Sequence, residues 1–137
     1  MKLSTILGAA KAHIQERSPT GKGAAERLQK ALNGIKAENV NPYKACYAVD
    51  VGASNANKVY ELLPALTASR CATGGYWLTN KGRMTATSEL LAAQGFDRDV
   101  MDLSNVSATD LGRAVGNSMS VPVVQAVLAN LLPSVGL

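Results

Sequence analysis

A chain of 137 residues, 47% apolar and 18% charged, has the size and make-up of one globular domain, which excludes a disordered segment. No apolar run approaches the roughly 20 residues of a membrane span. The two cysteines, Cys46 and Cys71, have neither metal-ligand nor redox-pair spacing; they read as reduced thiols of an intracellular protein.

The net charge of +4 is uneven: residues 1–60 hold nine Lys and Arg against four Asp and Glu, and residues 61–137 hold five against six. A basic first half suits phosphate; the plain alternative is a solvated helix surface. Leu3, Ile6, Leu7, Ala10 and Ile14 recur at helical spacing and predict an amphipathic helix over 3–16. Lys11, His13, Gln15 and Glu16 interrupt it too early for a signal peptide. Ser18-Pro19-Thr20-Gly21 stops it, and Ala24, Leu28, Ala31, Leu32 and Ile35 predict a second helix over 23–36.

After Asn41-Pro42, residues 45–51 are rich in strand formers and predict a strand ending at Gly52. A short helix is expected over 55–62, and short strands over 65–69 and 76–79. A helix is expected from Thr87 to near Gly95, capped by the hydroxyl of Thr85 or Thr87. Ser107-Ala108-Thr109-Asp110 resembles a capping box that launches a helix through Leu111 and Val115, broken by Gly116. Pro122 opens a last helix, with Val123, Val124, Val127, Leu128 and Leu131 as its buried face.

Three blocks stand out within this frame. The first is Leu66-Thr67-Ala68-Ser69 with Gly74-Gly75-Tyr76-Trp77. The second is Arg83, then Glu89 after five intervening residues, then Gln94-Gly95-Phe96. The third is Gly116-Asn117-Ser118 running into the apolar segment from Val121. In this order and spacing they resemble the end of the target-recognition region and the last two motifs of cytosine-5 DNA methyltransferases, over about residues 49–132. The order is more specific than any one block. The family's Phe-x-Gly-x-Gly donor loop, its nucleophilic Pro-Cys and its Gln-x-Arg-x-Arg are absent. Glu38-Asn39-Val40 spells a family tripeptide, but no Pro-Cys precedes it, and we read it as coincidence.

The resemblance implies an α+β fragment of an α/β methyltransferase: an N-terminal helical pair, a small β recognition region and C-terminal helices. The matching divisions are a basic helical segment over 1–40, a reduced recognition region over 41–82 and C-terminal motifs over 83–137. Asn117 and Ser118 would touch the methyl donor, S-adenosylmethionine, in a pocket shared with a catalytic chain that carries the nucleophile. Thr67, Ser69, Arg70, Thr73, Gly74 and Gly75 would face DNA, small residues admitting the backbone and Arg reaching a guanine edge or a phosphate. Arg83 and Glu89 would organise the fold, since an Arg tied to a carboxylate across a turn is usually structural. The implied partners are DNA and the catalytic chain, with no membrane and no metal. No catalytic residue is expected in this chain, because Cys46 and Cys71 read as small buried hydrophobes. Two other readings compete: a small non-enzymatic basic DNA-binding protein, and an interaction module that docks through its last helix.

Overall fold

The computed structural model describes residues 21–136, so the helix expected over 3–16 lies outside the described residues. The fold is α+β. In chain order the elements are α1 (Ala24–Ala37), β1 (Tyr47–Val49), β2 (Lys58–Tyr60), α2 (Ala68–Ala72), β3 (Trp77–Leu78) and β4 (Arg83–Met84). There follow α3 (Thr87–Ala93), a 3-10 turn (Arg98–Val100), α4 (Ala108–Asn117) and α5 (Val121–Ser134). The four strands form one antiparallel sheet in the order β2-β1-β3-β4.

Strand alternation gives the sheet two working faces. Val49, Trp77 and Met84 share the face covered by α1, where they pack with Ala24, Leu28, Ala31 and Leu32. The helix therefore shares its core with the sheet across residue 40. Burying Leu28, Leu32 and Ile35 contributes on the order of 5–9 kcal/mol, enough to fix a helix of this length that is marginal alone. Ala48 and Leu78 turn to the other face, with Tyr76, Cys46, Leu63 and Leu66. Leu66 also reaches a third cluster, Cys71, Leu90, Leu91 and Val115, which joins α2, α3 and α4.

Two expected elements differ. Residues 55–62 are not a helix. Ala56 (φ 46°) and Glu61 (φ 51°) flank the strand Lys58–Tyr60, and the Tyr60 ring packs tilted against Tyr47 across the ladder, ring centroids 5.1 Å apart. These cross-strand contacts override a weak helical pattern. Residues 65–69 are not a strand; Thr67 caps α2 instead, its hydroxyl accepting from Arg70 N–H at 3.4 Å.

The cap of α3 is also supplied differently. Ala86 stands at the N-cap and has no side-chain acceptor, so the Glu89 carboxylate accepts the Ala86 N–H at 2.7 Å. Thr85 is buried and faces back into the fold, donating to Gly74 C=O and accepting from Tyr76 N–H. For α4, Ser107 accepts from Asp110 N–H at 3.1 Å, as the capping pattern predicts. Gly116 does not break α4, which runs one residue further to Asn117.

The last helix has no buried residue: Val123, Val127, Leu128 and Leu131 are all exposed. The buried face expected for it is uncovered among the described residues. Residues 108–134 hold an 18-residue stretch of mean hydropathy 1.3, apolar and long enough by composition to cross a membrane. The chain is interrupted at 118–120, however, and the 14-residue α5 extends only about 21 Å against a hydrocarbon core of about 30 Å.

Candidate functional site

The three sequence blocks meet on α4. Gly112 and Gly116, one turn apart, face α2 so closely that a Cβ at Gly112 would fall 2.2 Å from the Cys71 carbonyl oxygen. At Gly116 it would fall 2.3 Å from the Thr67 carbonyl carbon. Gly116 thus serves close packing rather than a turn. From the other side, Gln94 Nε2 donates to Val115 C=O at 3.3 Å and to Ser118 C=O at 3.4 Å. The Gln94 main-chain carbonyl accepts Val121 N–H at 2.8 Å. Gly95, at φ 82°, lies under Pro122, where a Cβ would meet Cδ at 2.5 Å. The Gln-Gly pair therefore locks the Gly-Asn-Ser segment in place.

Asn117 and Ser118 lie at the end of α4, not at the start of the next helix as a donor-binding turn would place them. Asn117 is exposed, and its amide makes no hydrogen bond among the described residues. Ser118 Oγ donates to Val115 C=O at 2.7 Å, leaving its lone pairs as acceptors. The pair therefore offers one exposed amide and one hydroxyl acceptor.

Of the six residues matched to DNA contact, Thr67, Ser69 and Thr73 are exposed and Arg70 is half-buried. Gly74 and Gly75 are buried, with φ of 102° and 74°; a Cβ at Gly75 would sit 2.1 Å from Thr85 Oγ1. They turn the chain from α2 into β3 and offer no surface. Thr73 donates to Ser69 C=O and Arg70 C=O, closing α2. Arg70 Nε donates to Asp50 Oδ2 at 3.0 Å, and Asp50 Oδ1 accepts from the N–H groups of Gly52 and Ala53. Asp50 was not singled out from sequence. The clue to it is the Asp-x-Gly turn, which fixes the carboxylate through two backbone amides.

Arg83 and Glu89 form a buried bidentate pair at 2.9 and 2.8 Å, and Arg83 Nη1 also donates to Met84 C=O. Both residues are under a tenth exposed, so the pair joins β4 to α3 and is closed to ligands. Cys71 is buried in the cluster of Leu90, Leu91 and Val115, and Cys46 is partly buried with Glu61, Lys81 and Asn80 nearby. Burial is the first cause that pushes both thiols above their ordinary range, seconded at Cys46 by the Glu61 carboxylate. Neither is a poised thiolate. Burial also pushes the Tyr76 phenol up to about 12, and its O–H donates to Ala65 C=O at 2.6 Å, a packing role.

The basic surface lies along α1. Lys22, Lys30 and Lys36 are exposed, Lys36 resting 5.7 Å from the Tyr43 ring centre, while Lys58 is paired with Glu38 at 2.6 Å. If the exposed three meet phosphate, changing them together to Gln should reduce the slope of log K against log salt by two to three units for duplex DNA, about 0.9 per contact. An unchanged slope assigns them to a solvated face. No protein-family model, curated protein or solved structure matches the chain.

Proposed function

We propose that the chain is the C-terminal portion of a DNA cytosine-5 methyltransferase, as a subunit or fragment, working inside the cell with DNA and a catalytic chain. It contributes target recognition and one wall of the S-adenosylmethionine pocket. The observation that supports this most is the convergence on α4. The recognition block (through Gly112 and Gly116), the Arg-Glu-Gln-Gly block (through Gln94) and the Gly-Asn-Ser block form one body. The uncovered α5 supports a catalytic partner, since a helix apolar around its circumference belongs between other elements. Asn117 would offer its amide to the donor, and the donor supplies the methyl group when bound. The chain has no Pro-Cys to supply the thiolate that adds to cytosine, and burial pushes both thiols above their ordinary range.

Purified chain with labelled donor and duplex DNA should give no incorporation above blank. Adding a cytosine-5 methyltransferase lobe that has Pro-Cys and Phe-x-Gly-x-Gly but lacks the last two motifs should restore it. In that complex Asn117→Ala should weaken donor binding by about 1–3 kcal/mol, measured by calorimetry, with DNA affinity little changed. Incorporation by the chain alone that is lost in Cys46→Ala or Cys71→Ala would defeat the proposal. So would a Asn117→Ala complex with intact donor affinity and weakened DNA binding.

A further inference from the structure

α5 starts on the body of the fold and then leaves it. Its first turn is fixed, with Val121 N–H donating to Gln94 C=O at 2.8 Å and Pro122 lying over Gly95. From Gln125 to Ser134 every residue is exposed. Two rows run side by side along this helix at four-residue spacing, the spacing that makes ridges and grooves. Val123, Val127 and Leu131 form a ridge, each more than half exposed. Ala126, Asn130 and Ser134 form the floor of an open groove beside it. The polar members of the groove turn donors back to their own helix, Asn130 Nδ2 to Ala126 C=O at 2.7 Å and Ser134 Oγ to Leu131 C=O at 2.6 Å. Residues 114–137 hold no Asp, Glu, Lys, Arg or His.

We infer that two copies of this chain pair through α5, the Val123–Val127–Leu131 ridge of each seated in the Ala126–Asn130–Ser134 groove of the other. A ridge beside a groove is its own complement under a two-fold axis, the usual symmetry of a homodimer. An identical partner must also not be repelled, and a face without charge meets that condition. Covering the groove strands few polar groups, because its donors already have acceptors on the helix. A lipid surface fits less well. Residues 114–137 have no Lys, Arg, Trp or Tyr to sit among headgroups, and Gln125 and Asn130 place amides on two sides of the helix. The apolar side chains of α5 leave on the order of 500 Å² open on each copy, the upper end for a monomer. Pairing buries at most about 1,000 Å² in all, the low end for a specific contact, so a dimer of micromolar strength is expected. The inference does not depend on the methyltransferase reading. A catalytic chain would compete for the same face, and that reading stands if pairing fails.

Sedimentation equilibrium of the full chain, loaded from low micromolar to several hundred micromolar, tests this. The weight-average mass should rise from that of one chain and level off at twice it. Val127→Asp puts a charge in the middle of the ridge at an exposed position, so it should fold as wild type with an unchanged urea midpoint. It should weaken pairing by about tenfold or more, because the charge meets an apolar groove. Ala126→Leu separates a seated ridge from general stickiness. It adds apolar surface, so non-specific association would tighten. A filled groove excludes the partner's ridge instead, and pairing should weaken roughly tenfold. A wild type that stays a single chain throughout overturns the inference. So does a mass that climbs past two chains without a plateau, or an Ala126→Leu protein that pairs as tightly as wild type. A wild type that stays single in buffer yet sediments with vesicles of neutral phosphatidylcholine overturns it too and assigns α5 to a lipid surface.

Discussion

Glu89→Ala is expected to lower the free energy of unfolding by about 3–5 kcal/mol, the usual result of removing one partner of a buried ion pair. Glu89 is 3% exposed and Arg83 9%, so the guanidinium left behind has little access to water. The same substitution removes the acceptor for Ala86 N–H and uncaps α3, which adds about 1 kcal/mol. Against a typical total of about 5–15 kcal/mol this is a large fraction. Arg83→Met is expected to cost a similar amount. The double variant Arg83→Met with Glu89→Leu should be less damaging than either single change, because it leaves no buried charge behind. Urea denaturation followed by circular dichroism measures all three. Single variants within about 1 kcal/mol of wild type would show that the pair is solvated in solution and does not join β4 to α3.

How much of this was legible in the sequence depends on whether a signal was local. The stripe from Ala24 to Ile35 places α1 within a residue of its bounds, and Ser107 and Pro122 mark the starts of α4 and α5. The structural role expected of Arg83 and Glu89 came with the motif they resemble, and the two form an ion pair at 2.8 Å. What failed depended on distant partners. Lys58-Val59-Tyr60 is too short to show its period, and its strand state is set by the Tyr47 ladder. Residues 65–69 read as extended, yet Ala68–Ala72 forms a helix whose backbone packs against Gly112 and Gly116 of α4. Gly116 reads as a breaker because glycine is the poorest helix former after proline. Nothing local says that an absent side chain is there to admit another backbone. Asp50 was missed for the same reason, since its partner Arg70 lies 20 residues away.

That close approach gives the second large expected effect, in which one kind of substitution has opposite signs at different sites. In a helix interior Gly→Ala is worth about 1 kcal/mol of intrinsic propensity. At Gly34 in α1 the new methyl would meet only the tip of Lys58 at 3.4 Å, so Gly34→Ala should stabilise by about 0.5–1 kcal/mol. At Gly112 and Gly116 the methyl would enter the backbone of α2, at 2.2 and 2.3 Å, and backbone cannot rotate away as a side chain can. Overpacking of this kind costs about 1–3 kcal/mol or more per site, which exceeds the propensity gain. The two sites lie one turn apart on the same contact, so the double variant should deviate from additivity. With α4 pushed outward, α2 has only five residues and does not persist without its partner. Cys71, Leu90, Leu91 and Val115 would then open together. Urea midpoints for Gly34→Ala, Gly112→Ala and Gly116→Ala, measured side by side, separate the two effects. A Gly112→Ala protein as stable as Gly34→Ala would mean that α2 and α4 do not touch through their backbones, and the convergence of the three blocks on α4 would lose its physical basis.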